Sequence, residues 1–154
     1  MATALLILHG LVAVSLLGAI THQTLAICAS PRAKPYSFFG RFRAVRGTGF
    51  TNAIVVLYLI SWLLGAVIYL YFKVDVQPSL ERDHHWHTLG FFDLKEDFAA
   101  IGLGVLPAYW SCWLQPVDGR SDHIRTALTL LLTFIVWWAF LIGHVMNNIG
   151  GFGW

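Results

Sequence analysis

The chain has 154 residues, of which 57% are hydrophobic and 12% charged, and its formal net charge is +2. A soluble domain usually carries roughly 45–50% apolar and about 25% charged residues, and a chain this short exposes too much of its surface to hide the excess from water. The composition excludes a disordered chain and a water-soluble globule, and the basic residues grouped between positions 32 and 46 mark membrane topology rather than a nucleic-acid surface.

A bilayer core about 30 Å thick is crossed by about 20 apolar residues in a helix. Four stretches have that length: 3–28, 52–72, 89–114 and 124–145. The expected fold is all-α, a single-domain integral membrane protein built as an antiparallel four-helix bundle. The first stretch lacks the positive flank of a cleaved signal and is read as a retained span. Loop 29–50 holds Arg32, Lys34, Arg41, Arg43 and Arg46 and no acid, and Arg120 and Arg125 sit around the third connection. Segment 73–88 holds only Lys73 and Arg82, beside Asp75, Glu81 and Asp83. The basic excess places the first and third connections in the cytoplasm and both termini outside. Cys28 and Cys112, far apart and outside any C-x-x-C motif, are read as inert thiols at the cytoplasmic end, where a structural disulfide is not expected.

Charged groups within a span are costly and point to function. On the third span, Asp93, Glu96 and Asp97 fall within an arc of about 100° that continues through Ala100, Gly104 and Pro107. That face is expected to look into the bundle, with Lys95 turned the other way beside Phe91, Phe98 and Leu106 and snorkelling to the headgroups. The fourth span carries a polar stripe through Thr126, Thr129, Thr133, Trp137, Phe140, His144, Asn147 and Asn148. At a rise of 1.5 Å per residue, His9 lies about 9 Å, Glu96 and Asp97 about 10 Å, and His144 about 5 Å or less below the outer ends of their helices. His22 and His123 are a candidate inner pair. Outside the bilayer, His84, His85 and His87 supply imidazoles of the kind that bind Zn or Cu.

Three functional readings follow. Two histidines on facing helices can hold haem b in a four-helix membrane bundle, so His9 and His144 are the axial pair, lined by Thr133, Trp137 and Phe140, and the protein is a redox subunit. Histidine with Asp93, Glu96 and Asp97, or the His84, His85 and His87 group, suits a non-haem metal ion or a proton relay. The third reading has no cofactor: an accessory chain that associates with other membrane subunits or with itself.

The sequences Leu8-His9-Gly10, Arg41-Phe42-Arg43 and Asp93-Leu94-Lys95-Glu96, in this four-span order, resemble the small four-helix, haem-associated protoporphyrinogen oxidase family of bacteria and its copper-resistance-type relatives. Those proteins show a histidine early in the first helix, a basic loop and a lysine near the start of the third. The resemblance implies a bacterial inner membrane, haem, and a redox role in porphyrin or electron chemistry. The chain departs from that pattern in its acids at 93, 96 and 97 and in its histidines at 84, 85 and 87.

Overall fold

The computed structural model describes residues 2–28, 37, 47–116 and 119–150. Four long helices dominate: α1 (Ala2–Cys28), α2 (Gly47–Tyr71), α4 (Trp86–Leu114) and α5 (Gly119–Gly150). A π-helical turn over Phe72–Val76 and the short α3 (Gln77–Arg82) join α2 to α4, and no strand occurs among the described residues. The four helices cover the four expected stretches, apart from Phe72, which opens the π-helical turn, and three of them start several residues earlier than expected. The basic segment with Arg41-Phe42-Arg43, and Arg32, Lys34 and Arg46, lies outside the described residues, as do the side chains of Arg120, Asn147 and Asn148.

Stretches Thr3–Cys28, Gly49–Arg82 and Asp122–Met146 are long and apolar enough to cross a membrane. Helix α4, with four charged residues near its start, does not reach that composition. Its 29 residues nevertheless give about 43 Å of helix, and it packs along both α2 and α5. The helices form a closed ring: α1 packs on α2 and α5, and α4 packs on the same two. Every neighbouring pair is antiparallel. Gln23 meets Thr51 at one end of α1 and α2, while His9 lies against Gly65 at the other. Asn52 meets Trp110 and Tyr69 meets Phe92 between α2 and α4. Trp113 meets Thr129 and Phe91 meets Trp138 between α4 and α5.

Each helix presents a seam with alternating three- and four-residue steps: Leu16, Ile20 and Gln23 on α1; Thr51, Ile54 and Tyr58 on α2; Gly102, Leu106, Tyr109 and Trp113 on α4; Arg125, Thr129, Leu132 and Val136 on α5, all buried. That spacing is the heptad rule of helices packed side by side. Lipid tails are as apolar as leucine, so packing and hydrogen bonds hold such helices together. The buried Tyr109 hydroxyl donates to Gln23 Oε1, and Gln23 Nε2 donates to Thr51 Oγ1 at 3.0 Å. One polar clasp thus joins three helices through the core. Cys28 and Cys112 are both free thiols.

The seam overturns the expected orientation of α4. Ala100, Gly104, Pro107 and Asp97 are exposed, whereas Lys95 lies on the inward side with Phe92, Ala99, Gly102 and the buried Leu106. The reason is rotation about the helix axis: at about 100° per residue, the arc centred on the acids lies about a third of a turn from the seam that runs through Phe92, Lys95 and Ala99.

The corner before α4 is built by backbone bonds. His85 N–H donates to the Leu80 carbonyl at 2.9 Å and His84 N–H to the Glu81 carbonyl at 3.1 Å, a C-terminal cap with His84 at φ 59°. The His85 carbonyl then accepts from Thr88 and Leu89 to start α4.

Candidate functional site

The half of the bundle around Gln23 is closely packed; the half around His9 encloses a cavity of about 420 Å³. All four long helices line it: His9, Gly10 and Ala13 from α1; Tyr58, Ser61, Trp62 and Gly65 from α2; Lys95, Glu96 and Ala99 from α4; Val136, Ala139, Phe140, Gly143 and His144 from α5. That size is within the range of small-molecule and cofactor sites, roughly 300–1,000 Å³.

His9, Phe140 and His144 therefore line one cavity, and the estimated depths of His9 and His144 agree with that. His9 Nδ1 is buried without a hydrogen-bond partner, and the Ser61 backbone carbonyl accepts from the ring. A histidine that ligates a metal commonly donates its second ring nitrogen to a carbonyl in this way. His144 is stacked on Phe140, centroids 6.3 Å apart and planes nearly parallel. Thr133 and Trp137 do not line the cavity. Thr133 Oγ1 lies 2.6 Å from Thr24 Oγ1, and Trp137 Nε1 donates to Thr21 Oγ1 at 3.0 Å, so both fasten α5 to α1 below it.

The acids separate. Glu96 faces the cavity, ion-paired with Lys95 at 2.7 Å. Lys95 Nζ also lies 4.4 Å from the centroid of Phe92, which stacks on Phe72 and Tyr69. Both Lys95 and Glu96 are near enough to His9 to act on it electrostatically. Asp93 is exposed and 4.0 Å from Lys73, and Asp97 is exposed. His84, His85 and His87 are exposed at the α3–α4 corner. Among the described residues no three His, Cys, Asp or Glu side chains gather around a common point, so neither the set Asp93, Glu96 and Asp97 nor the corner histidines are assembled as a metal cage. His22 stacks on Phe50, centroids 4.4 Å apart, and His123 is exposed.

The sequence reading assigned nothing to α2, yet Tyr58, Ser61 and Gly65 form one wall. Tyr58 donates to the Ala99 carbonyl at 2.9 Å and so braces α2 against α4 beside Glu96. The signal was present as the three- and four-residue steps Thr51, Ile54, Tyr58, Ser61 and Gly65.

Comparison with protein-family models, with curated proteins and with solved structures finds no match to this chain.

Proposed function

We propose that the protein is a membrane redox subunit and that His9 and His144 are the residues that would hold haem b in the cavity. The observation that carries this reading is two imidazoles, on the antiparallel helices α1 and α5, lining one largely apolar cavity in which His9 Nδ1 is buried and unpaired. The donor set fits the group: two nitrogens, Phe140, Trp62 and small side chains for its faces, and Lys95 for an acidic edge. Bound there, haem would supply one-electron chemistry, while the protein fixes ligand, dielectric and hydrogen bonding. Lys95, inward-facing and lining the same cavity as His9, adds support, because both residues lie in motifs that carry the resemblance to the haem-associated family. The charge bias of the connections supports both termini outside, and on that reading this cavity lies in the outer leaflet of what we take to be a bacterial inner membrane.

The experiment is an optical difference spectrum, dithionite-reduced minus oxidised, of protein purified in mild detergent. The expected result is a Soret and α band in the wild type and loss of both in His9→Ala. A colourless wild type overturns the haem reading and leaves the accessory-subunit reading in its place. The Lys95–Glu96 pair beside His9 favours a second reading, a proton relay at the same cavity, since charged pairs in a span mark proton pathways.

A further inference from the structure

The four seams of the bundle are unequal at the level of the cavity. Between α2 and α4, Tyr58 bonds to Ala99 and Tyr69 and Phe72 stack on Phe92. Between α4 and α5, Phe98, Phe134 and Trp138 interlock with centroids 5.7–6.2 Å apart. Between α1 and α2, a Cβ on Gly65 would already lie 3.5 Å from His9 Cε1. Among the described residues, the side-chain bonds seen across the α1–α5 seam, Thr24–Thr133 and Trp137–Thr21, lie in the other half.

At the cavity, α1 offers Gly10 and Ala13 to this seam and α5 offers Ala139 and Gly143. A Cβ built on Gly10 or on Gly143 meets nothing within 4 Å. The lining continues outward to Ile7, Leu11 and Val14, which are 56%, 63% and 54% exposed on a helix apolar enough to span a membrane. An opening rimmed by apolar side chains at that depth faces acyl chains.

We infer that the cavity is entered sideways from the bilayer, through the gap between α1 and α5, and that its ligand is a flat amphiphile dissolved in the membrane. The apolar body passes between Gly10 and Gly143, and the polar edge comes to rest toward the Lys95–Glu96 pair. For haem as the occupant, this rests on the function proposed above; the entrance itself rests only on the seams.

Two measurements test it. With Cys28 and Cys112 replaced by serine, nitroxides are attached to Gly10→Cys and to Gly143→Cys in phosphatidylcholine vesicles. Relaxation by dissolved oxygen, and not by a water-soluble nickel chelate, is the expected result. Relaxation by the chelate and not by oxygen overturns the lateral entrance without reference to any haem. In the second measurement haemin is dissolved in the vesicle bilayer and its capture is followed optically. Gly143→Leu should slow capture about tenfold or more, equivalent to at least about 1.4 kcal/mol of added barrier. Capture at the wild-type rate by Gly143→Leu overturns the entrance. A wild type that captures no haemin overturns the haem reading, and the nitroxide result still decides the entrance.

Discussion

Gly102→Ala should weaken the bundle by on the order of 3 kcal/mol, the upper range for forcing atoms into a filled core. A Cβ at this position would overlap the Tyr58 hydroxyl and stand 2.9 Å from its Cζ and 3.2 Å from Ile135 Cγ2. Tyr58 cannot swing away freely, because its hydroxyl is held by the Ala99 carbonyl on the next turn of α4. The methyl group therefore separates α2 from α4, and the wall of the cavity moves with it. Gly104→Ala is the matched control: its Cβ meets nothing within 4 Å, and it should leave stability unchanged. Unfolding in mixed micelles by increasing sodium dodecyl sulfate compares the two. Tyr58→Phe combined with Gly102→Ala should recover part of the loss, since it removes the overlapping oxygen. Equal midpoints for Gly102→Ala and wild type would show that the α2–α4 contact is looser than described.

Arg125→Ala should cost about 3 kcal/mol in the same titration, because hydrogen bonds to a charged group contribute roughly 1.5–3 kcal/mol and their loss leaves buried acceptors unpaired. Arg125 is 6% exposed. Its Nε and Nη2 donate to the Cys112 carbonyl at 3.2 and 2.8 Å, and Nη2 also donates to the Gln115 carbonyl at 2.8 Å. These carbonyls lie at the C-terminal end of α4, where the last turn lacks donors of its own and the helix dipole favours a cation. The guanidinium also lies 4.9 Å from the Trp113 ring centroid, and Trp113 in turn donates to Thr129 at 3.1 Å. Arg125→Lys should recover less than half of the loss, since an ammonium cannot present the planar fork that spans two carbonyls. A midpoint for Arg125→Ala within about 0.5 kcal/mol of wild type, the range of a neutral surface change, would remove this cap from the account.

Three of the four expected spans were legible because membrane helices declare themselves by length and apolarity; the charges near the start of α4 keep it below that composition, and its length was legible instead. Rotation about each helix axis was not legible in the same way. In water an apolar stripe marks the buried face; in lipid the outward face is just as apolar, so Leu11, Val14 and Leu70 look outward although they are as greasy as Leu16 and Ile20. The inward face of these helices is marked instead by small and polar residues at heptad spacing: Gln23, Thr51, Gly102, Thr129. Reading the acids of α4 as the inward marker put Lys95 on the wrong side, when Phe92, Lys95, Ala99 and Gly102 were the steps that continue to Leu106 and Tyr109. Thr133 and Trp137 lie on the polar stripe of α5 that the sequence reading takes as pocket lining, but they bond to Thr24 and Thr21 of α1 outside the cavity, and no single-helix pattern reveals a bond across a seam. The histidines at 84, 85 and 87 have the chemistry of metal ligands, but among the described residues they gather around no common point, and the backbone uses that corner to end α3 and begin α4.

In the proposed function, two imidazoles from α1 and α5 act on one group in the cavity near the start of α1. Low-temperature electron paramagnetic resonance of the oxidised protein tests this most directly. The account predicts a low-spin ferric signal in the wild type that becomes high-spin or disappears in both His9→Ala and His144→Ala. A low-spin signal that survives either substitution would contradict it.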